Sequence, residues 1–202
     1  MIDLNTKALR NLTCGLYMLS SRDGQRISGC IVNTVMQVTS RPLRITVTVN
    51  KSNFTHDLIQ SSGVFAVSML SEDAPFGLFQ HFGFQSGREV DKFSGLHVAS
   101  DLHGVPYLTW ASCGYLSCKV VSSMDLGTHT QFLADVVDCD LLEGGTPVSY
   151  GYYQSNIKPK PASAVKGWRC TICGYIYQGE TLPPDFICPL CKHGVEAFEK
   201  IE

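Results

Sequence analysis

The chain has 202 residues, 44% of them hydrophobic and 17% charged, the balance of a globular protein rather than of a fibre or a disordered chain, and its length suits one sizeable core plus a small module. A formal net charge of −2 and the lack of any Lys/Arg cluster interleaved with aromatics argue against nucleic acid as a partner. MIDLNTKALR at the start lacks the apolar core of a secretion signal, and no run of 18 uncharged apolar residues occurs, so a cytoplasmic protein without a membrane partner is expected.

Taken in chain order, residues 1–154 are dominated by β-type runs. SGCIVNTV (28–35) reads as a strand carrying small or polar groups at Ser28, Gly29, Cys30, Asn33 and Thr34. ITVTVN (45–50) and VFAVSML (64–70) are strand-like as well. Between them VNKSNFTHDLIQSSG predicts a helix after Asn53, with Ser/Asn/Thr capping and a closing Gly63. Residues 74–83 offer a second helix despite their Pro and Gly. YLSCKVVSSMDL (115–126) and QFLADVVDCDLLEGG (131–145) pair as a hairpin across the Gly-containing turn DLGTHT, which holds His129. Many strands with few helices indicate a mainly β fold, a barrel or sandwich. No G-x-G-x-x-G follows a strand into a helix, which disfavours a doubly wound nucleotide fold.

SNIKPKPASAVKG (155–167) has two prolines and few large apolar groups and is expected to be a linker. Residues 168–202 are too few to be stabilised by apolar burial alone. Cys170, Cys173, Cys188 and Cys191 form two C-x-x-C pairs there, and in a reducing compartment four such thiols read as a tetrahedral S4 metal site for iron or zinc rather than as disulfides. The other five cysteines, Cys14, Cys30, Cys113, Cys118 and Cys139, fall in apolar or strand-like runs and are expected to be structural. His56, His81, His97, His103 and His193 show no metal spacing and are expected to be structural too.

Several stretches have two readings on local grounds. Hydroxyls of Ser52 and Thr55, with amides near Asn53, stand at a helix start that suits a phosphate or simple N-capping. SGREVDKF sets Arg88 and Lys92 four apart beside Ser86 and Gly87, which suits either a phosphate contact or a solvated charged loop.

CTICGYIY, PPDF, CPLC and Phe198 together resemble rubredoxin, which favours iron over structural zinc. Two departures stand out: only 14 residues separate Cys173 from Cys188, and Lys192 stands where glycine is expected after the second pair. Upstream, SGCIVNTVMQVTSRP, VNKSNFTHDLI, FGFQSGREVDKF and LGTHTQFLADV, in that order, resemble the flavin reductase-like FMN-binding split barrel over residues 8–154. The whole chain is similar to the high-molecular-weight rubredoxins of anaerobic bacteria. That resemblance implies FMN held near Cys30, Asn33, Thr34, Asn50, Lys51, Ser52, Asn53, Thr55, Ser86, Gly87, Arg88 and Lys92. It also implies NAD(P)H as donor, His129 beside flavin and nicotinamide, one Fe(Cys)4 centre, a homodimer, and a flavodiiron protein as acceptor. Two alternatives stand beside it: a reductase releasing free reduced flavin to a monooxygenase, and a flavin-binding scaffold with a zinc ribbon.

Overall fold

Period-2 alternation builds the main sheet. In the computed structural model, which describes residues 5–159 and 167–201, the strands are β1 (Tyr17–Asp23), β2 (Arg26–Val32), β3 (Met36–Ser40), β4 (Leu43–Asn50), β5 (Val64–Leu70), β6 (Val98–Ser100), β7 (Pro106–Leu108), β8 (Ser112–Asp125) and β9 (His129–Leu141). Seven of them form one antiparallel sheet in the order β2-β1-β5-β8-β9-β4-β3, while β6 and β7 pair separately. On β4 the inward residues Ile45, Val47 and Val49 are buried and alternate with partly exposed neighbours, so a one-residue slip would turn all three to solvent. They pack with Leu19, Ile59, Phe65, Val67 and Phe132, each such burial being worth about 1.5–3 kcal/mol. β5 is an interior strand, flanked by β1 and β8, and is accordingly apolar or small on both faces.

Helix α1 (Phe54–Ser62) begins where predicted. The Asn53 side chain accepts from Thr55 N at 3.2 Å, and Gly63 closes the helix at φ 71°, a conformation only glycine adopts freely. Its buried residues Thr55, His56, Leu58 and Ile59 face β1 and β2. Helix α2 (Phe76–Gly83) buries Leu78, Phe79 and Phe82 in a second apolar cluster with Met18, Leu70, Leu108 and Tyr153.

The expected linker starts later than its proline content suggests. Tyr150–Tyr152 and Tyr153–Ile157 continue as a helical segment because Tyr153, 5% exposed, is packed into the α2 cluster with its ring 4.7 Å from that of Phe79; residues 160–166 lie outside the described residues. The C-terminal module is a three-stranded sheet, β11-β10-β12, made of β10 (Gly167–Cys170), β11 (Ile176–Tyr177) and β12 (Phe198–Ile201). Tyr177, Phe186 and Phe198 form its small aromatic core. Of the five other cysteines, Cys30 and Cys118 are buried as expected and Cys14 and Cys113 partly so, whereas Cys139 is exposed. Among the described residues no helix is long and apolar enough to cross a membrane.

Candidate functional site

The two C-x-x-C turns converge. The sulfurs of Cys170, Cys173, Cys188 and Cys191 all lie within 4.8 Å of one another, with Cys170 and Cys191 at 3.5 Å and Cys173 and Cys188 at 3.4 Å. Each pair is closed by the same turn: Gly174 N donates to Cys170 O and Lys192 N to Cys188 O, both at 2.9 Å. The residue after each pair is left-handed, Gly174 at φ 82° and Lys192 at φ 60°. Lys192 therefore preserves the second knuckle in a conformation that disfavours a side chain. Backbone N–H groups of Tyr175, Leu190, Cys191 and His193 turn toward the sulfurs. The thiols polarise one another: a hydrogen bond with Cys191 takes Cys173 down to about 5, and the same bond pushes Cys191 up. Four sulfurs this close, three of them buried, with amide donors already aimed at them, fit a single cation with an S4 preference, iron or zinc.

The second cluster lies where β4 runs into α1. Asn50 is directly opposite His129 in the β4–β9 register, and Asn50 Oδ1 accepts from both Ser52 N and Ser52 Oγ at 2.9 Å. Thr34 Oγ1 donates to Thr48 O at 2.6 Å, fastening the bend between β2 and β3 to the same end of β4. The loop after α2 reaches the cluster through Gly87: a Cβ there would sit 2.1 Å from Ser28 Oγ and 3.3 Å from the Phe54 ring. Arg88 follows, its guanidinium 5.1 Å over Phe54 and 2.7 Å from Asp57 Oδ2. Burial alone would raise the Asp57 carboxyl, but hydrogen bonds from Arg88 and His56 outweigh it and hold it below the usual range.

The flavin reductase like domain family matches residues 9–160. This chain belongs to that family. The rubrerythrin, rubredoxin-like domain family matches residues 168–199. A high molecular weight rubredoxin from Moorella thermoacetica is 38% identical over 98% of this chain and 100% of its own length. A ferric-chelate reductase (NAD(P)H) from Archaeoglobus fulgidus is 36% identical over 78% of this chain and 93% of its own. Among solved structures, an FMN-binding protein from Thermus thermophilus is similar at TM-score 0.60 and 22% identity, covering 66% of this chain and 74% of that one.

On this flavin reductase like barrel the structure gathers Thr34, Asn50, Ser52, Asn53, Gly87, Arg88 and His129 around one end of β4. His129 is partly exposed, its Nδ1 2.8 Å from Thr128 Oγ1. Arg88, half-exposed although paired with Asp57, and exposed Ser52, whose hydroxyl donates to Asn50 Oδ1, stand by the start of α1, a position that suits a phosphate. Four further expected contacts lie in the same region with their side chains buried or paired within the protein. The Cys30 thiol lies in the core with Leu19 and Val47, and burial raises it to about 11. Lys92 is 2% exposed, its ammonium donating to Gly29 O and Phe82 O at 2.9 Å each. Thr55 is buried and donates to Ser28 Oγ, and Lys51 is paired with Asp125 in the hairpin turn at 2.6 Å.

Sequence reading missed a relay in the same place. His56, expected to be merely structural, is bonded at Nδ1 to Asp57 Oδ1 (3.1 Å) and at Nε2 to Thr130 Oγ1 (2.8 Å). With Arg88 on Asp57, this joins the Gly87 loop to the strand that starts at His129. The only signal was the adjacent His-Asp pair of FTHDL on the inner side of α1.

Proposed function

We propose that this protein is an NAD(P)H-dependent electron-transfer oxidoreductase that passes electrons by way of FMN on the barrel to one Fe(Cys)4 centre on the tail, and from there to a partner protein. One observation carries the reading: a four-sulfur cluster built for a single metal lies in the same chain as, and packs against, a barrel of the flavin reductase like family. FMN, when bound, accepts hydride as an electron pair and releases electrons singly, whereas an iron held by four thiolates carries one at a time and has no open position for substrate. The chain's own residues supply placement. Ser52, the first amides of α1 and Arg88 receive the phosphate, Gly87 lets backbone approach, and His129 orients the nicotinamide by stacking or hydrogen bonding. Amides facing sulfur stabilise the more negative, reduced state of the centre.

Family resemblance supports a flavodiiron protein, reducing oxygen or nitric oxide, as the acceptor. It also supports a homodimer with each flavin at the subunit contact, in keeping with the exposed Met36, Val38 and Leu43 on β3–β4 and Val121, Met124 and Leu126 on the β8–β9 hairpin.

The test is a visible spectrum of aerobically purified protein, repeated anaerobically after adding NADH, with metal content measured on the same sample. Iron at about one per chain, with both flavin and iron–thiolate bands bleaching, is the expected result. Zinc in place of iron, or flavin that bleaches while iron stays oxidised, defeats the reading. A second reading follows from the archaeal relative, whose named activity is accommodated without most of the tail: direct reduction of ferric chelates by the barrel, which predicts that a chain ending at residue 158 keeps that activity undiminished.

A further inference from the structure

The tail meets the barrel at its first metal knuckle. Lys158, just before Pro159, donates from Nζ to Ile172 O at 2.9 Å, inside the loop between Cys170 and Cys173. Its Cε lies 3.4 Å from where a Cβ on Gly174 would stand, so the lysine stem runs alongside the knuckle glycine. Beside it Phe84, which ends α2, packs on the cysteine cluster. Phe84 meets Phe76 edge-on at 6.2 Å, and Phe76 stacks on buried Tyr153 at 6.4 Å. An aromatic bed thus runs from the barrel core to the sulfurs, with Lys158 at its rim.

The charges facing Lys158 all come from the tail. Cys173, Cys170 and Cys191 attract it, while Arg169 repels it; Arg169 is itself paired with Glu199. Four thiolates with ferric iron carry a formal charge of −1, and one added electron makes it −2. Lys158 is partly buried, where such an attraction is stronger than in bulk water. Contact with Lys158 must then favour the electron-loaded centre, and by reciprocity an added electron must tighten the contact by the same factor.

We propose that Lys158 is a redox-linked clamp: it docks the first knuckle on the barrel of its own chain and raises the reduction potential of the centre it docks. The inference rests on the reading of the four cysteines as an iron centre supplied by reduced flavin. One electron moves, no proton is required, and no bond is formed or broken. A docked tail is thereby the better acceptor.

The experiment compares full-length wild type, Lys158→Met, Lys158→Gln and Lys158→Arg by two readouts. Spectroelectrochemical titration of iron-loaded protein should show Met and Gln shifted about tenfold toward the oxidised state, about 59 mV lower for one electron, with Arg close to wild type. Small-angle scattering of zinc-loaded protein, which needs neither iron nor flavin, should show wild type and Arg compact and Met and Gln expanded. Unchanged potential and unchanged scattering in Met and Gln would overturn the clamp, as would either change without the other, since the linkage requires both. Failure of the underlying reading looks different: wild type then holds no iron, or its iron ignores reduced flavin, while the scattering comparison still decides whether Lys158 docks the tail.

Discussion

Lys192 holds a left-handed backbone at φ 60° where its counterpart is Gly174. A side chain in that region costs about 1–2 kcal/mol, partly offset by the roughly 0.5–1 kcal/mol of extra chain entropy that glycine loses on folding. Lys192→Gly is therefore expected to raise the melting temperature of the metal-loaded tail by the equivalent of about 0.5–1 kcal/mol, read from loss of metal–thiolate absorbance on heating. Lys92 makes the opposite case. Lys92→Met strips two buried carbonyls of their donor and should cost about 1–3 kcal/mol of barrel stability, with flavin affinity unchanged within about twofold; a large loss of affinity at unchanged stability would reinstate it as a phosphate ligand. Arg88, His56 and Asp57 add a pH signature. The Asp57 carboxyl is depressed in the folded state, so its contribution to stability is full above the unfolded value of about 4 and fades as pH falls through the lower, folded one. Arg88→Ala should flatten that acid limb of the stability profile, and because both side chains are nearly half exposed the effect is expected to be small.

At the scale of elements, α1 joins barrel stability to the site. Its N-cap Asn53 accepts the Thr55 amide, and Asn53→Ala should destabilise the protein by about 1 kcal/mol in chemical denaturation. The hairpin β8–β9 was legible in its apolar alternation and Gly127, which takes φ 83° in the turn. What alternation leaves out is that Asp125 of this turn also binds Lys51, tying the His129 turn to the loop before α1. The first bend was misjudged for a related reason: β2 stops at Val32, and Asn33 and Thr34 turn the chain toward β3 because Thr34 finds its partner on β4. The helical segment through Ile157 likewise follows from the burial of Tyr153, a long-range contact with no local marker.

At the scale of the molecule, Met36, Val38, Val121, Met124 and Leu126, on β3 and the end of the β8–β9 hairpin, stay exposed, apolar side chains that suit contact with a second copy. Light scattering should therefore report a dimer, and Met124→Asp should shift it toward monomer while weakening flavin retention, if the flavin is shared at that contact. A monomeric wild type with tightly held flavin would contradict the arrangement.

The primary structure alone determined the mainly β class, the caps of α1, the long hairpin and the four-sulfur centre. Each of these is written in local period, turn chemistry or ligand spacing, which need no knowledge of distant neighbours. Only the tertiary structure decided that Cys30 and Lys92 turn inward, that His56 links Asp57 to Thr130, and that Lys158 reaches the first knuckle. These outcomes depend on which side of a strand or loop faces another segment dozens of residues away, and burial, which assigns a lysine either to solvent or to two carbonyls, is a property of the packed chain rather than of the residue.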